Sequence, residues 1–182
     1  MQAARGTPLS QASDSASSPE ATRPPRRLLL FAALAAVVYA LDLLTKTLAV
    51  AQLEGREPVS LLGGLLTLRL TRNPGAAFSL GTGYTVALTV VAIGVVVVVV
   101  RLSSRLRSAG WAVALGLLLG GACGNLTDRL VRAPGPMRGH VVDFIDYGGL
   151  FIGNVADIAL VGGAAFLVLL TLLGVEPGRR PG

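Results

Sequence analysis

Cysteine occurs once in the 182 residues and histidine once. A disulfide framework and a histidine-rich zinc site are therefore excluded. Charge is scarce as well, at 14% Asp, Glu, Lys and Arg, where a soluble domain carries about 25%. Aromatic residues are only 5%, yet 52% of the chain is hydrophobic and the mean hydropathy is +0.66. So much apolar surface exceeds what a chain this short can enclose in a core of its own, which points to a small integral membrane protein.

The formal charge of +6 does not form the basic stripe that nucleic acid requires. Fifteen of the 16 basic residues are arginine, many in short groups beside apolar runs: Arg23, Arg26 and Arg27; Arg101, Arg105 and Arg107; Arg179 and Arg180. Such groups suit topology signals and anionic phospholipid headgroups. Membrane phospholipid is therefore expected as a neighbour and nucleic acid is not.

Residues 1–25 are rich in Ser, Ala, Pro and Thr without apolar periodicity, and read as a disordered cytoplasmic tail. Leu28 to Val50 is apolar except at Asp42 and Lys46, too long for a signal-peptide core and without a convincing cleavage site. Residues 73–100 carry no charge, Ser108–Thr127 gives 20 uncharged residues and Ile158–Val175 gives 18. The valine-rich run before Arg101 would suggest a strand in water. In hydrocarbon it must be a helix, since every backbone group has to be paired within the segment. Four membrane helices follow, at about 27–50, 83–101, 109–130 and 152–174, each matched to a hydrocarbon core of about 30 Å.

The short basic flanks fall on one side of a four-span chain, which the positive-inside rule makes cytoplasmic. Both termini, including a tail at 177–182, are then cytoplasmic, and two loops face outward. The first, about 51–82, holds a β region at about 55–75, where Thr67, Arg69 and Thr71 alternate with leucines and predict a strand or hairpin. The second opens on Pro134-Gly135-Pro136, which breaks any helix.

Polar residues inside such spans are the informative ones, because a charge at the bilayer centre costs about 2.5–3.5 kcal/mol on insertion scales. Asp42 and Lys46 are four apart and can pair on one helix face. Asn125, Asp128 and Arg129 share a face of the third helix, with Gly120, Gly121 and Gly124 permitting close approach. Asp128 with Arg129 reads first as an interhelical clasp, in which the arginine fork fixes a carboxylate. Asp143 and Asp157 have no basic partner at helical spacing. Three readings stay open for them: structural polar pairing, an ion or proton pathway, or a carboxylate dyad that shares one proton and activates water. A small proton-coupled transporter or a structural membrane subunit therefore stands as the alternative to an enzyme.

Taken in order, Asp42-Leu-Leu-Thr45-Lys46, Asn73-Pro-Gly75-Ala-Ala77-Phe78, Gly124-Asn125-Leu-Thr-Asp128-Arg129, Val142-Asp143-Phe144 and Asn154-Val-Ala156-Asp157 resemble the lipoprotein signal peptidases (signal peptidase II). The resemblance implies an intramembrane aspartyl endopeptidase of the bacterial inner membrane, without metal or cofactor. It would cut diacylglyceryl-modified prolipoproteins before the lipidated cysteine. Asp143 and Asp157 fall on the catalytic positions. Asp42, Lys46, Asn73, Gly75, Asn125, Asp128, Arg129 and Asn154 fall on supporting ones. The three asparagines are expected on the substrate backbone, with Gly75 and Ala76 leaving room for it. The fold implied is all-α, four transmembrane helices with a small extracytoplasmic β platform and a short interfacial helix at about 144–152. Inhibition by a globomycin-type cyclic peptide and a monomeric state are further expectations. The chain departs from the family pattern in its 25-residue tail, in a longer segment between Arg129 and Asp143, and in Gly153, where Phe more often precedes Asn; Gly153 is expected to loosen the start of the fourth helix.

Overall fold

The computed structural model describes residues 26–75 and 85–176; the expected tails, Ala76 and the first residues of the second helix lie outside them. The elements in chain order are α1 (Arg26–Leu53), β1 (Val59–Leu61), a 3-10 turn (Leu62–Gly64), β2 (Leu66–Asn73), α2 (Thr85–Ser103), α3 (Ala109–Val131), β3 (Val141–Asp146), β4 (Ile152–Gly153) and α4 (Val155–Leu172). All four helices are long and apolar enough to cross a membrane. Side chains such as Leu41, Val91, Val98, Val161 and Leu172 are exposed on their outer faces, where lipid rather than water is the fitting solvent.

Helix α3 is the hub, packing on α1, α2 and α4. Its most apolar stretch is 44% buried against 17–22% for the other three. Its glycines make this possible. A Cβ on Gly120 would lie 2.6 Å from Val38 Cβ, and one on Gly121 would lie 2.6 Å from the Ala156 carbonyl. The backbones of α1 and α4 thus come within reach of α3 only because hydrogen stands there.

The four strands form one antiparallel sheet in the order β1-β2-β3-β4. Val59 pairs with Leu68, Thr71 with Asp143, and Asp146 with Ile152, with an irregularity in β2 between Leu68 and Thr71. Strand side chains alternate. Val142 and Phe144 therefore face the C-terminal end of α1 with Ala49, Val50 and Leu53, leaving Asp143 for the opposite face. Arg69 Nε to Asp146 Oδ2 at 2.9 Å ties β2 to β3.

Two expectations are corrected. Residues 144–152, where a short interfacial helix is expected, complete β3, turn through Tyr147–Leu150 and enter β4. Aspartates Asp143 and Asp146 interrupt the apolar run enough to hide a strand that tertiary pairing with β2 supplies. The fourth helix starts at Val155 rather than about 152, because Ile152 and Gly153 are taken by the sheet.

Candidate active site

Asp143 stands mid-strand on β3 and is 2% exposed. Asp157 stands in the first turn of α4, half-buried. A strand thus carries one of the two and a helix start the other. Both line a cavity of about 280 Å³ with Asn73, Asn125 and Arg129 as its other polar walls and Phe151, Ile152, Leu160 and Val161 as apolar ones. A larger cavity of about 350 Å³, between α1 and α3, contains Cys123 and is almost wholly apolar. Chemistry rather than size singles out the first.

Amides hold both carboxylates. Asn73 Nδ2 donates to Asp143 Oδ2 at 2.9 Å, and Asn154 Nδ2 donates to Asp143 Oδ1 at 2.6 Å. Asn125 Nδ2 donates to Asp157 Oδ1 at 2.8 Å, and the backbone N–H of Asn154 donates to Asp157 Oδ2 at 3.1 Å. The three asparagines expected on substrate backbone therefore spend these donors on the aspartates. Asn73 is itself fixed by the strand that carries it and by its Oδ1, which accepts from Gly75 N–H at 2.9 Å. Gly75 is buried and lines the cavity.

The two carboxyl groups differ in setting. Burial pushes Asp143 up from 3.8 to about 6; the Asn73 hydrogen bond opposes it, the Asp157 charge adds to it, and Asn154 and the Lys46 charge oppose it. Near the mouth, Tyr147 and Phe151 stack at 4.4 Å between centroids. Burial and then the Asp157 charge push the Tyr147 phenol up.

Behind the cavity lies a buried ionic group. Asp42 and Lys46 are fully buried and pair at 2.7 Å, as their spacing predicts. Asp128 does not clasp Arg129. It pairs with Lys46 at 3.0 Å and with Arg132 one turn on, and accepts the Val142 N–H at 3.1 Å. Arg129 instead donates to the carbonyls of Pro74 and Gly75, fixing the chain just after β2. Arg132, four residues on, is the helical neighbour of Asp128 that sequence spacing favours over the adjacent Arg129. Gly153 precedes a helix start that Asn154 and Asp157 close with reciprocal capping bonds. A Cβ on Gly153 would lie 3.0 Å from Asp157 Oδ2, so the missing side chain makes room for the carboxylate. Among the described residues, no group of three or more His, Cys, Asp or Glu is placed to hold a metal ion. His140 belongs to the loop after α3, its N–H bonded to the Ala133 carbonyl.

The chain has relatives among known proteins. The family profile described as Signal peptidase (SPase) II matches residues 34–173. A protein of Rhodococcus jostii (strain RHA1) named lipoprotein signal peptidase is 60% identical over 158 residues, covering 86% of this chain and 79% of that one. One of the same name from Mycobacterium avium (strain 104) is 54% identical, covering 87% and 88%. A solved structure described as a bacterial membrane enzyme obtained by the in meso method at 2.3 Å resolution superposes with a TM-score of 0.68 at 26% identity, covering 84% of this chain and 93% of that one. The order of the polar motifs, the four helices long enough to span with their small antiparallel sheet, and these likenesses agree, and the chain belongs to the signal peptidase II family of bacterial multi-pass membrane proteases.

Proposed function

We propose that the chain is an intramembrane aspartyl endopeptidase that removes the signal peptide from diacylglyceryl-modified prolipoproteins, cutting before the lipidated cysteine, with Asp143 and Asp157 as its catalytic pair. One observation carries this reading: two aspartates from separate elements line one cavity, Asp143 held by the side-chain amides of Asn73 and Asn154 and Asp157 by that of Asn125. The pair shares one proton. The ionised member takes a proton from water as the water oxygen attacks the scissile carbonyl carbon. The protonated member donates to the carbonyl oxygen. The tetrahedral intermediate then collapses, its C–N bond breaking as a proton passes to the leaving nitrogen of the cysteine. The signal peptide leaves with a carboxylate and the lipoprotein with a free amine, without an acyl-enzyme.

The apolar wall of Leu160 and Val161 on α4 supports lateral access from lipid, so that acyl chains stay in hydrocarbon while the scissile bond meets water. Arg26, Arg27, Arg101, Arg105 and Arg107 support an inner-membrane topology with cytoplasmic termini, contacts to phospholipid headgroups at that face and an outward site. A globomycin-type cyclic peptide would compete for the same cavity. One chain supplies every residue named, which supports a monomer.

The test is cleavage of a diacylglyceryl-modified prolipoprotein by the purified protein. Asp143→Asn and Asp157→Asn should each lower turnover by at least about 10²-fold while substrate binding persists, and a chelator should change nothing. Full activity in either variant removes that residue from the pair.

A further inference from the structure

The chain has 15 arginines and a single lysine, and that lysine, Lys46, is wholly buried. It does not line the cavity that holds the two aspartates. Its Nζ lies 2.7 Å from Asp42 Oδ2, 3.0 Å from Asp128 Oδ2 and 2.8 Å from Asn125 Oδ1. The Asn125 contact is a hydrogen bond, and the Asp42 and Asp128 contacts are ion pairs. An ammonium has three N–H groups on one nitrogen, a compact charge that suits three oxygens converging on a point, whereas a guanidinium is a planar fork.

Each of the three partners reaches on to the catalytic pair. Asp42 Oδ1 accepts the N–H of Ala156 at 2.8 Å, and Ala156 immediately precedes Asp157. Asp128 Oδ2 accepts the N–H of Val142 at 3.1 Å, and Val142 immediately precedes Asp143. Asn125 turns its amide to Asp157 Oδ1 at 2.8 Å. α1 thus reaches an α4 residue through Asp42 and a β3 residue through Lys46 and Asp128, and the Lys46 nitrogen joins the two. We propose that Lys46 is a positioning residue for the peptidase reaction, setting the backbone before Asp143, the backbone before Asp157 and the Asp157 carboxylate through Asp128, Asp42 and Asn125.

The inference rests on the catalytic pair proposed above, and its competitor is plain charge balance. Two buried carboxylates, Asp42 and Asp128, face two cations, Lys46 and Arg132. The two explanations separate in a double variant. Lys46→Met with Asp42→Asn leaves Asp128 opposite Arg132, so the charges still balance, and the new asparagine can still accept the Ala156 N–H through its oxygen. What is lost is the shared nitrogen.

The experiment uses the full chain in detergent micelles, with thermal unfolding and the kcat and KM of prolipoprotein cleavage as readouts. Lys46→Met alone should unfold at a lower temperature. The double variant should recover much of that loss, yet keep a kcat about 10²-fold below wild type, the scale of a misplaced catalytic group, with KM within about twofold. Recovery of both stability and kcat would overturn the proposal in favour of charge balance, as would a loss confined to KM. Lys46→Arg is the second variant: it keeps the charge and should show the same kcat loss with near-normal unfolding, and wild-type kcat there also overturns the proposal. If neither the double variant nor Lys46→Arg folds, Lys46 is a folding residue and the proposal fails. Activity retained in both Asp143→Asn and Asp157→Asn would instead count against the catalytic pair itself.

Discussion

Asn154 and Asp157 close a reciprocal capping box on the first turn of α4: Asn154 Oδ1 accepts the Asp157 N–H at 3.0 Å, and Asp157 Oδ2 accepts the Asn154 N–H at 3.1 Å. A proposed catalytic carboxylate is therefore also the N3 residue of its own helix start. Asn154 does a second job with its Nδ2, which donates to Asp143 Oδ1 at 2.6 Å. The two jobs separate by substitution. Asn154→Ser keeps a capping oxygen but is too short to reach Asp143, and Asn154→Ala keeps neither. Serine should be more stable than alanine by about 1 kcal/mol. Both should cleave prolipoprotein far more slowly than wild type, by about 10²-fold. Thermal unfolding and initial rates decide it; normal turnover in Asn154→Ser would show that the amide contact to Asp143 is dispensable.

The four spans were legible because long uncharged runs have one solution in hydrocarbon. Asp42 with Lys46 was legible from its spacing alone. Strands β3 and β4 were not, because Val141–Asp146 carries two aspartates, most of its pairing is with β2, some 70 residues earlier in the chain, and β4 is only two residues long. The residues of the site were recognisable as polar side chains in an expensive place, but not their partners. Asp128 chooses Arg132 and Lys46 over Arg129, and Asn73 and Asn154 meet at Asp143 from different elements. The contacts of Asp128 with Lys46 and of both asparagines with Asp143 depend on the docking of β3 against α1 and α3, which leaves no local pattern, whereas Arg132 is the i, i+4 neighbour of Asp128.

Asp143 makes a statement about pH. Its folded value of about 6 exceeds the ordinary 3.8, chiefly through burial. The folded state therefore binds the proton more tightly than the unfolded chain does. This contribution to stability is complete below about 3.8 and is lost as pH rises through about 6. Asp143→Asn removes the titration. The stability of the variant relative to wild type should rise by about 3 kcal/mol between pH 3.5 and pH 7.5. Thermal unfolding in micelles across that range provides the check, and a difference that stays flat would mean the carboxyl group is solvated.

Close helix contact gives a third prediction. A methyl at Gly120 would lie 2.6 Å from Val38 Cβ and 2.7 Å from the Ala35 carbonyl, so Gly120→Ala should cost about 1–3 kcal/mol as α1 is pushed off α3. Gly121→Ala meets the Ala156 carbonyl at 2.6 Å and should cost as much, with a further loss of turnover because Ala156 adjoins Asp157. Gly94 on α2 has nothing within 4 Å of the new methyl, and Gly94→Ala should unfold at or above the wild-type temperature. Equal effects at all three glycines would dismiss close packing as the reason for the first two.

Orientation is open to direct measurement, and the proposed substrate depends on it. Leu62, in the turn between β1 and β2, and Ser104, just after α2, are both exposed and lie toward opposite ends of the spans. In a Cys123→Ala background, Leu62→Cys should react with a membrane-impermeant maleimide added to intact spheroplasts. Ser104→Cys should react only after lysis. Arginines Arg101, Arg105 and Arg107 flank the second position, and their retention inside is what the positive-inside rule requires. The reverse labelling would put Asp143 and Asp157 on the cytoplasmic side, where a signal peptide cut after export could not meet them, and would require another substrate for the same carboxylate pair.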